Sequence, residues 1–147
     1  MPPAKVPNDS HVMRYVRKRQ LRRDENGNVL GILPQALELR DGEAFLSVTW
    51  LEHFDPQYER GLIQAAQAIR RQLTVNDNDG VSTTEVGGFC EICERFEKKV
   101  RVLHEPVNDE NTGHVAIRRF PRDNLELLDL LASDAFVDTR VASHVVP

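Results

Sequence analysis

The chain has 147 residues, a formal charge of −4 and 40% hydrophobic residues, the profile of an ordinary soluble single domain. A domain of that size buries about 70% of the surface its unfolded form exposes, so it needs no disulfide, metal or partner in order to fold. Two cysteines exclude a disulfide scaffold, and no run reaches the roughly 18 uncharged apolar residues of a membrane span.

Met1 to Ser10 contains Pro2, Pro3 and Pro7, lacks the apolar run of a signal peptide, and reads as a lead-in that is either disordered or clamped. A reducing bacterial cytoplasm is the expected compartment. His11–Val16 has the β-branched and aromatic content of a strand. Asn26-Gly27 predicts a turn, with Gln20–Arg23 and Val29–Leu33 as the arms of a hairpin. Ala44–Trp50 alternates at period two, which puts Ala44, Leu46, Val48 and Trp50 on one face and Phe45, Ser47 and Thr49 on the other. The first face is expected to pack on the helix that follows. That helix is predicted over 58–73 from the recurrence of Tyr58, Leu62, Ala65, Ala66, Ile69 and Leu73, with Asp55 as its cap and Pro56 in its first turn.

Val81–Val86 reads as a short strand, and Gly87-Gly88 as a break before a second amphipathic helix through Phe89, Ile92, Cys93, Phe96 and Val100. A strand over 100–103, a polar loop over 106–113, a strand over 114–117 and a third helix over 124–132 complete the order. The expected fold is therefore α+β: one domain over 11–133, a small mixed sheet packed with about three helices, and a tail over 134–147.

Charge is unevenly distributed. Residues 1–24 carry seven Lys and Arg against two Asp, a net +5, which leaves the remainder at −9. The densest cluster is Arg14, Arg17, Lys18, Arg19, Arg22 and Arg23, with Tyr15 as its single aromatic. Arg17, Lys18, Arg22 and Arg23 are the candidate contacts to nucleic acid or to a protein partner. The acidic total and the lack of a stacking platform favour protein contact, or the protection of a strand edge.

Cys90-Glu91-Ile92-Cys93 is a C-x-x-C pattern, and with His104 and His114 it supplies four residue types that bind zinc. The nine residues between the two histidines do not match a finger, and on the predicted helix Cys93 faces the core with Cys90 beside it. Packing is the expected role, with no metal. No glycine-rich phosphate loop surrounds Gly87-Gly88, so no cofactor is expected. His114 stands where the polar loop becomes a strand, with Asn108, Asp109 and Asn111 as possible polar neighbours. A rigid strand end suits an imidazole that must move protons, and equally one that only holds the loop.

The run from Glu105 to Ile117 resembles the Asn-Pro-Ala-His-Ala-x-Val ending of a loose set of small bacterial proteins to which no activity is attached. Here Thr112-Gly113-His114 stands in place of Pro-Ala-His, and the resemblance extends over 11–118 through Arg14 and Leu46-Ser47-Val48. It implies that Arg14, Ser47 and His114 belong together. An Arg on the first strand, a Ser in the middle of a later strand and a polar residue on a last strand also resembles ADP-ribosyltransferase-like folds, although no glutamate stands on the last strand. The function expected on these grounds is a small cytoplasmic accessory component of a multi-protein bacterial system, such as one directed against phages or mobile elements, that works by contact with a larger protein partner and not at a membrane. The alternatives are a small enzyme built on His114, Ser47 and Arg14, and nucleic-acid contact through 14–23.

Overall fold

The computed structural model describes residues 3–107, 109 and 111–145. Expectations that concern Met1, Pro2, Asn108, Val146 or Pro147 lie outside the described residues. The described residues form nine strands: β1 (Ala4–Lys5), β2 (His11–Val16), β3 (Leu21–Arg23), β4 (Val29–Ile32), β5 (Phe45–Trp50), β6 (Gly80–Glu85), β7 (Arg101–His104), β8 (His114–Arg118) and β9 (Asp138–Val141). Four α-helices join them: α1 (Leu51–Phe54), α2 (Tyr58–Gln72), α3 (Val86–Arg95) and α4 (Leu125–Leu130), the last running on into a π-turn over Leu131–Ala135. None of these helices is long and apolar enough to cross a membrane.

The class is α+β. Seven strands form one sheet in the order β1-β7-β8-β5-β2-β6-β9, and β3 and β4 form the hairpin expected around Gly27, whose φ of 84° is one that glycine adopts freely. Every ladder is antiparallel, where a mixed sheet was expected. The helical crossing from β5 to β6 does join two parallel strands, but β2 lies between them and pairs antiparallel with both.

Side chains alternate across the sheet, and each face has its own helices. On one face, Val12, Leu46, Val48, Val102, Val115 and Ile117 form a core with Phe89 and Cys93 of α3, Leu127 and Leu128 of α4, and Phe136. On the other, Met13 and Val81 pack under Leu62, Ala65 and Ala66 of α2. Leu46 and Trp50 were expected against α2. They lie instead on the face of α3 and α4, with Leu46 buried and Trp50 half-buried, because β5 passes straight into α1 and the chain then crosses to the opposite face.

Three boundaries also differ. Asp55 closes α1, its Oδ1 accepting the Gln57 N–H, and Gln57 is the residue that caps α2 through the Arg60 N–H. Gly87-Gly88 does not interrupt α3, which begins at Val86; the absence of a Cβ at Gly87 lets the Asn8 carbonyl approach and accept its N–H at 2.8 Å. The described part of the expected tail, 134–145, belongs to the domain, since Phe136 is buried and β9 pairs with β6. Its period-two content is too short for a pattern to show. At the other end, β1 pairs with β7, and Val6 is buried with its N–H on the Val102 carbonyl.

Candidate active-site cleft

Strands β2 and β5 pair only at Val12 with Trp50 and Met13 with Thr49. Beyond that point they part, and Arg14 occupies the gap: its Nε donates to the Ala36 carbonyl at 3.0 Å and its Nη1 to the Ser47 carbonyl at 2.9 Å. Burial pushes the Arg14 pKa down, with Glu43 opposing the shift and Arg40 adding to it. The guanidinium stays charged, because even a lowered arginine pKa lies far above neutrality. A cleft of about 830 Å³ opens beside the parting, between the C-terminal end of α2, the turn over 17–20 and the segment 34–43.

Ser47 and His114 project into the same cleft. Ser47 stands opposite Ala116 and His114 opposite Thr49, so the two are diagonal neighbours on one face of the β5–β8 ladder. His114 Nε2 lies 3.2 Å from Ser47 Oγ, and His114 Nδ1 lies 2.8 Å from the Glu105 carbonyl oxygen. A carbonyl only accepts, so the Nδ1 proton points to Glu105 and the neutral ring turns its Nε2 lone pair toward the serine hydroxyl. Burial lowers the His114 pKa; the Glu105 carbonyl and carboxylate oppose the shift and His104 adds to it, so the ring is neutral at pH 7.

The orienting group is itself held. Glu105 takes two bonds from Arg118, Nε to Oε2 at 2.6 Å and Nη2 to Oε1 at 2.7 Å, which hold its carboxyl below the usual range. The same guanidinium lies 4.8 Å from the centre of the Phe45 ring, and Phe45 meets His114 edge-on at 5.8 Å. Glu105, Phe45 and Arg118 were missed in the sequence. The clue to Glu105 was the polar loop between two predicted strands: a hairpin closed across it sets Glu105 beside His114, and the Glu105 N–H indeed bonds the His114 carbonyl.

Other candidates separate. Among the described residues no group of three or more His, Cys, Asp or Glu is placed to hold a metal ion. Cys93 is buried in the core with its thiol pushed up to about 12 by that burial, and Cys90, beside it, is raised for the same reason. His104 pairs with Val115 and so lies on the face opposite His114, with its ring 5.3 Å from Trp50 and 5.0 Å from His53. Both of these histidines bond Thr112 through Nε2, His53 to Oγ1 at 2.9 Å and His104 to the carbonyl at 2.7 Å. Asn111 bonds Thr49 and Gln72.

The basic cluster is divided by a 3-10 turn over Lys18–Gln20. Arg17 lines the cleft, donates to the Tyr15 hydroxyl at 3.0 Å and lies 4.0 Å from buried Asp79; Arg19 lines the cleft as well. The Lys18 N–H bonds Asp79, Arg22 reaches Asp129 of α4 at 3.9 Å, and Arg23 donates to the Gly27 carbonyl of its own hairpin. The guanidinium groups of Arg17, Arg22 and Arg23 thus reach three different partners, and Lys18 is tied through its backbone N–H.

Comparison with protein-family models, with curated proteins and with solved structures returned no match.

Proposed function

We propose that this protein is a small enzyme that uses Ser47 as a nucleophile and His114 as its general base. The single observation that carries the reading is the convergence of Arg14, Ser47 and His114 on one cleft, with the histidine tautomer set by Glu105 so that its lone pair faces the hydroxyl. A nucleophile, a base and a third group that orients the base are the parts that hydroxyl-based catalysis requires. As Ser47 Oγ bonds to an electrophilic centre of an ester, its proton passes to His114 Nε2. The imidazolium then returns that proton to the departing oxygen, and a water activated in the same way releases the product. The charge of Arg14, beside Ser47, stabilises negative charge that develops in the cleft. The two free cysteines, one of them buried, suit a reducing cytoplasm.

The test is covalent labelling of the full chain with a neutral fluorophosphonate, read by intact mass and peptide mapping. One adduct at Ser47 is expected. It should be absent in Ser47→Ala and slowed by about 10²–10⁴-fold in His114→Gln, the usual contribution of a general base. A folded wild-type protein that takes no label at Ser47, or one that labels equally fast without His114, would overturn the reading.

The second reading, an accessory component that acts by contact with a larger protein, is supported by Leu30, Leu125 and Val137, which are 63%, 65% and 74% exposed outside the cleft. It predicts that replacing these three with Ser removes the cellular phenotype while Ser47→Ala leaves it intact.

A further inference from the structure

The cleft has two chemically distinct walls. One carries guanidinium groups. Arg14 has its two hydrogen bonds on backbone carbonyls, and no carboxylate among the described residues lies within salt-bridge distance of it. Five N–H donors belong to such a group, so the two carbonyls do not exhaust it. Arg19 and Arg40 line the same cleft with exposed side chains and no ion pair among the described residues, and Arg17, which also donates to the Tyr15 hydroxyl, has as its ion pair there the long contact to Asp79. Acidic residues on the cleft are confined to the segment 38–43, and Glu43 accepts the backbone N–H of Arg40 at 2.6 Å.

The other wall is apolar and open to solvent. Ile69 and Leu73 at the end of α2 line it together with Val107; Leu73 is 45% exposed and Val107 60%. Large hydrophobic side chains left open to water inside a concave site are surface that a ligand can cover. Ser47 and His114 are on the same cleft as both walls.

We infer that the cleft takes a small organic oxyanion, its charge held by Arg14, Arg17, Arg19 and Arg40 and its apolar part laid against Ile69, Leu73 and Val107. This rests on the reading of Ser47 and His114 as the reacting pair and gives that pair its class of substrate. A guanidinium offers parallel N–H donors that match both carboxylate and phosphate, so the shared chemistry is the oxyanion. A partly buried cation beside Ser47, with no carboxylate in salt-bridge distance among the described residues, carries a desolvation cost that such a group offsets on binding.

The test is titration of the full-length Ser47→Ala protein, which cannot turn over an ester, with phenyl phosphate, benzoate, inorganic phosphate and phenol, followed by calorimetry and by arginine Nε–H resonances. Phenyl phosphate and benzoate should both bind, and the tighter of the two identifies the oxyanion. Phenol and inorganic phosphate, each with half of the recognition, should bind at least about tenfold more weakly. Arg19→Gln with Arg40→Gln should weaken phenyl phosphate about tenfold, while Leu73→Ser with Val107→Ser should weaken phenyl phosphate and leave inorganic phosphate unchanged. These residues are exposed or at the rim, so the variants fold even where a change at Arg14 does not. Phenol binding as well as phenyl phosphate, no effect of the arginine substitutions, or tighter binding of a single-stranded oligonucleotide that depends on Arg22 and Arg23, would overturn the inference. Labelling of Ser47 by the neutral fluorophosphonate separates the two claims: label without anion binding removes the substrate class alone, and anion binding without label removes the nucleophile alone.

Discussion

Arg14 Nη1 donates to the backbone carbonyl of Ser47 at 2.9 Å, at the place where the strands carrying the two residues cease to pair. The guanidinium thus does part of the work of the missing ladder, while Nε ties the same point to Ala36 in the segment that forms the cleft wall. Arg14→Met removes both donors and leaves two carbonyls short of a partner. A loss of about 1–3 kcal/mol is expected, the range for a lost hydrogen bond to a charged group set against relief of a buried cation. Arg14→Lys keeps the charge but cannot span both carbonyls, so it should fall between the two. Urea unfolding of the three proteins measures the order, and Lys no better than Met would show that geometry, not charge, is what matters here.

Stability should fall as the pH drops from about 7.5 to 5. His114 and His53 are both pushed below the ordinary histidine value of 6.5, mainly by burial, so the unfolded chain takes up their protons first. Their contribution is complete above 6.5 and is lost as the pH falls from there toward the depressed values. Glu105, also depressed but by its bonds to Arg118, acts in the same direction only below about 4.5. His114→Gln should flatten part of the decline between pH 7.5 and 5; an unchanged slope would mean that this ring titrates alike in both states.

Two glycines on helices should respond in opposite directions to alanine. A Cβ on Gly61 in α2 would stand 2.7 Å from the Leu51 carbonyl oxygen and 3.0 Å from that of Asp55, backbone atoms that cannot swing aside. The strain, about 1–3 kcal/mol, outweighs the roughly 1 kcal/mol gained in helix propensity. Gly88 in α3 has nothing within 4 Å, so Gly88→Ala should stabilise by about 0.5–1 kcal/mol. Thermal melts of both variants test the pair.

Trp50 is half-buried between the rings of His53 and His104, and its indole nitrogen is buried without a hydrogen-bond partner among the described residues. Trp50→Phe removes that donor and keeps most of the apolar contact, so it should change stability by less than about 1.5 kcal/mol, as volume-conserving apolar exchanges do. Trp50→Ala should cost about 2–4 kcal/mol, at or below the range for a fully buried aromatic. Near-equal losses in the two variants would mean that the indole N–H has a partner after all.

Local chemistry explains which parts of the fold were legible. The helical period through Leu62, Ala65, Ala66 and Ile69 marked α2, and Asn26-Gly27 marked the hairpin, since both are signals contained in a few neighbouring residues. Sheet order is not such a signal: nothing near His11–Val16 says that its partners, Thr49 and Trp50 on one side and Gly80–Glu85 on the other, lie far downstream. The same distance hid the faces, and Leu46 and Trp50 were given the wrong helix because alternation tells which residues share a side without telling what covers that side. For the cleft, Arg14, Ser47 and His114 were visible as residues, whereas Glu105, Arg118 and Phe45 act through cross-strand geometry that only the register of β5, β7 and β8 supplies.

The position of β2 bears on how the chain is made. It is the strand flanked by β5 on one side and β6 on the other, yet it precedes both in the chain, and its longer ladder, from His11 with Glu85 to Val16 with Gly80, closes over the whole of α1 and α2. During synthesis, at about 5–20 residues per second, its apolar side chains Val12, Met13 and Val16 must wait several seconds for their partners. Once Glu85 has left the ribosome the centre of the sheet can zip in a single step, and until then this segment is what a chaperone would have to cover.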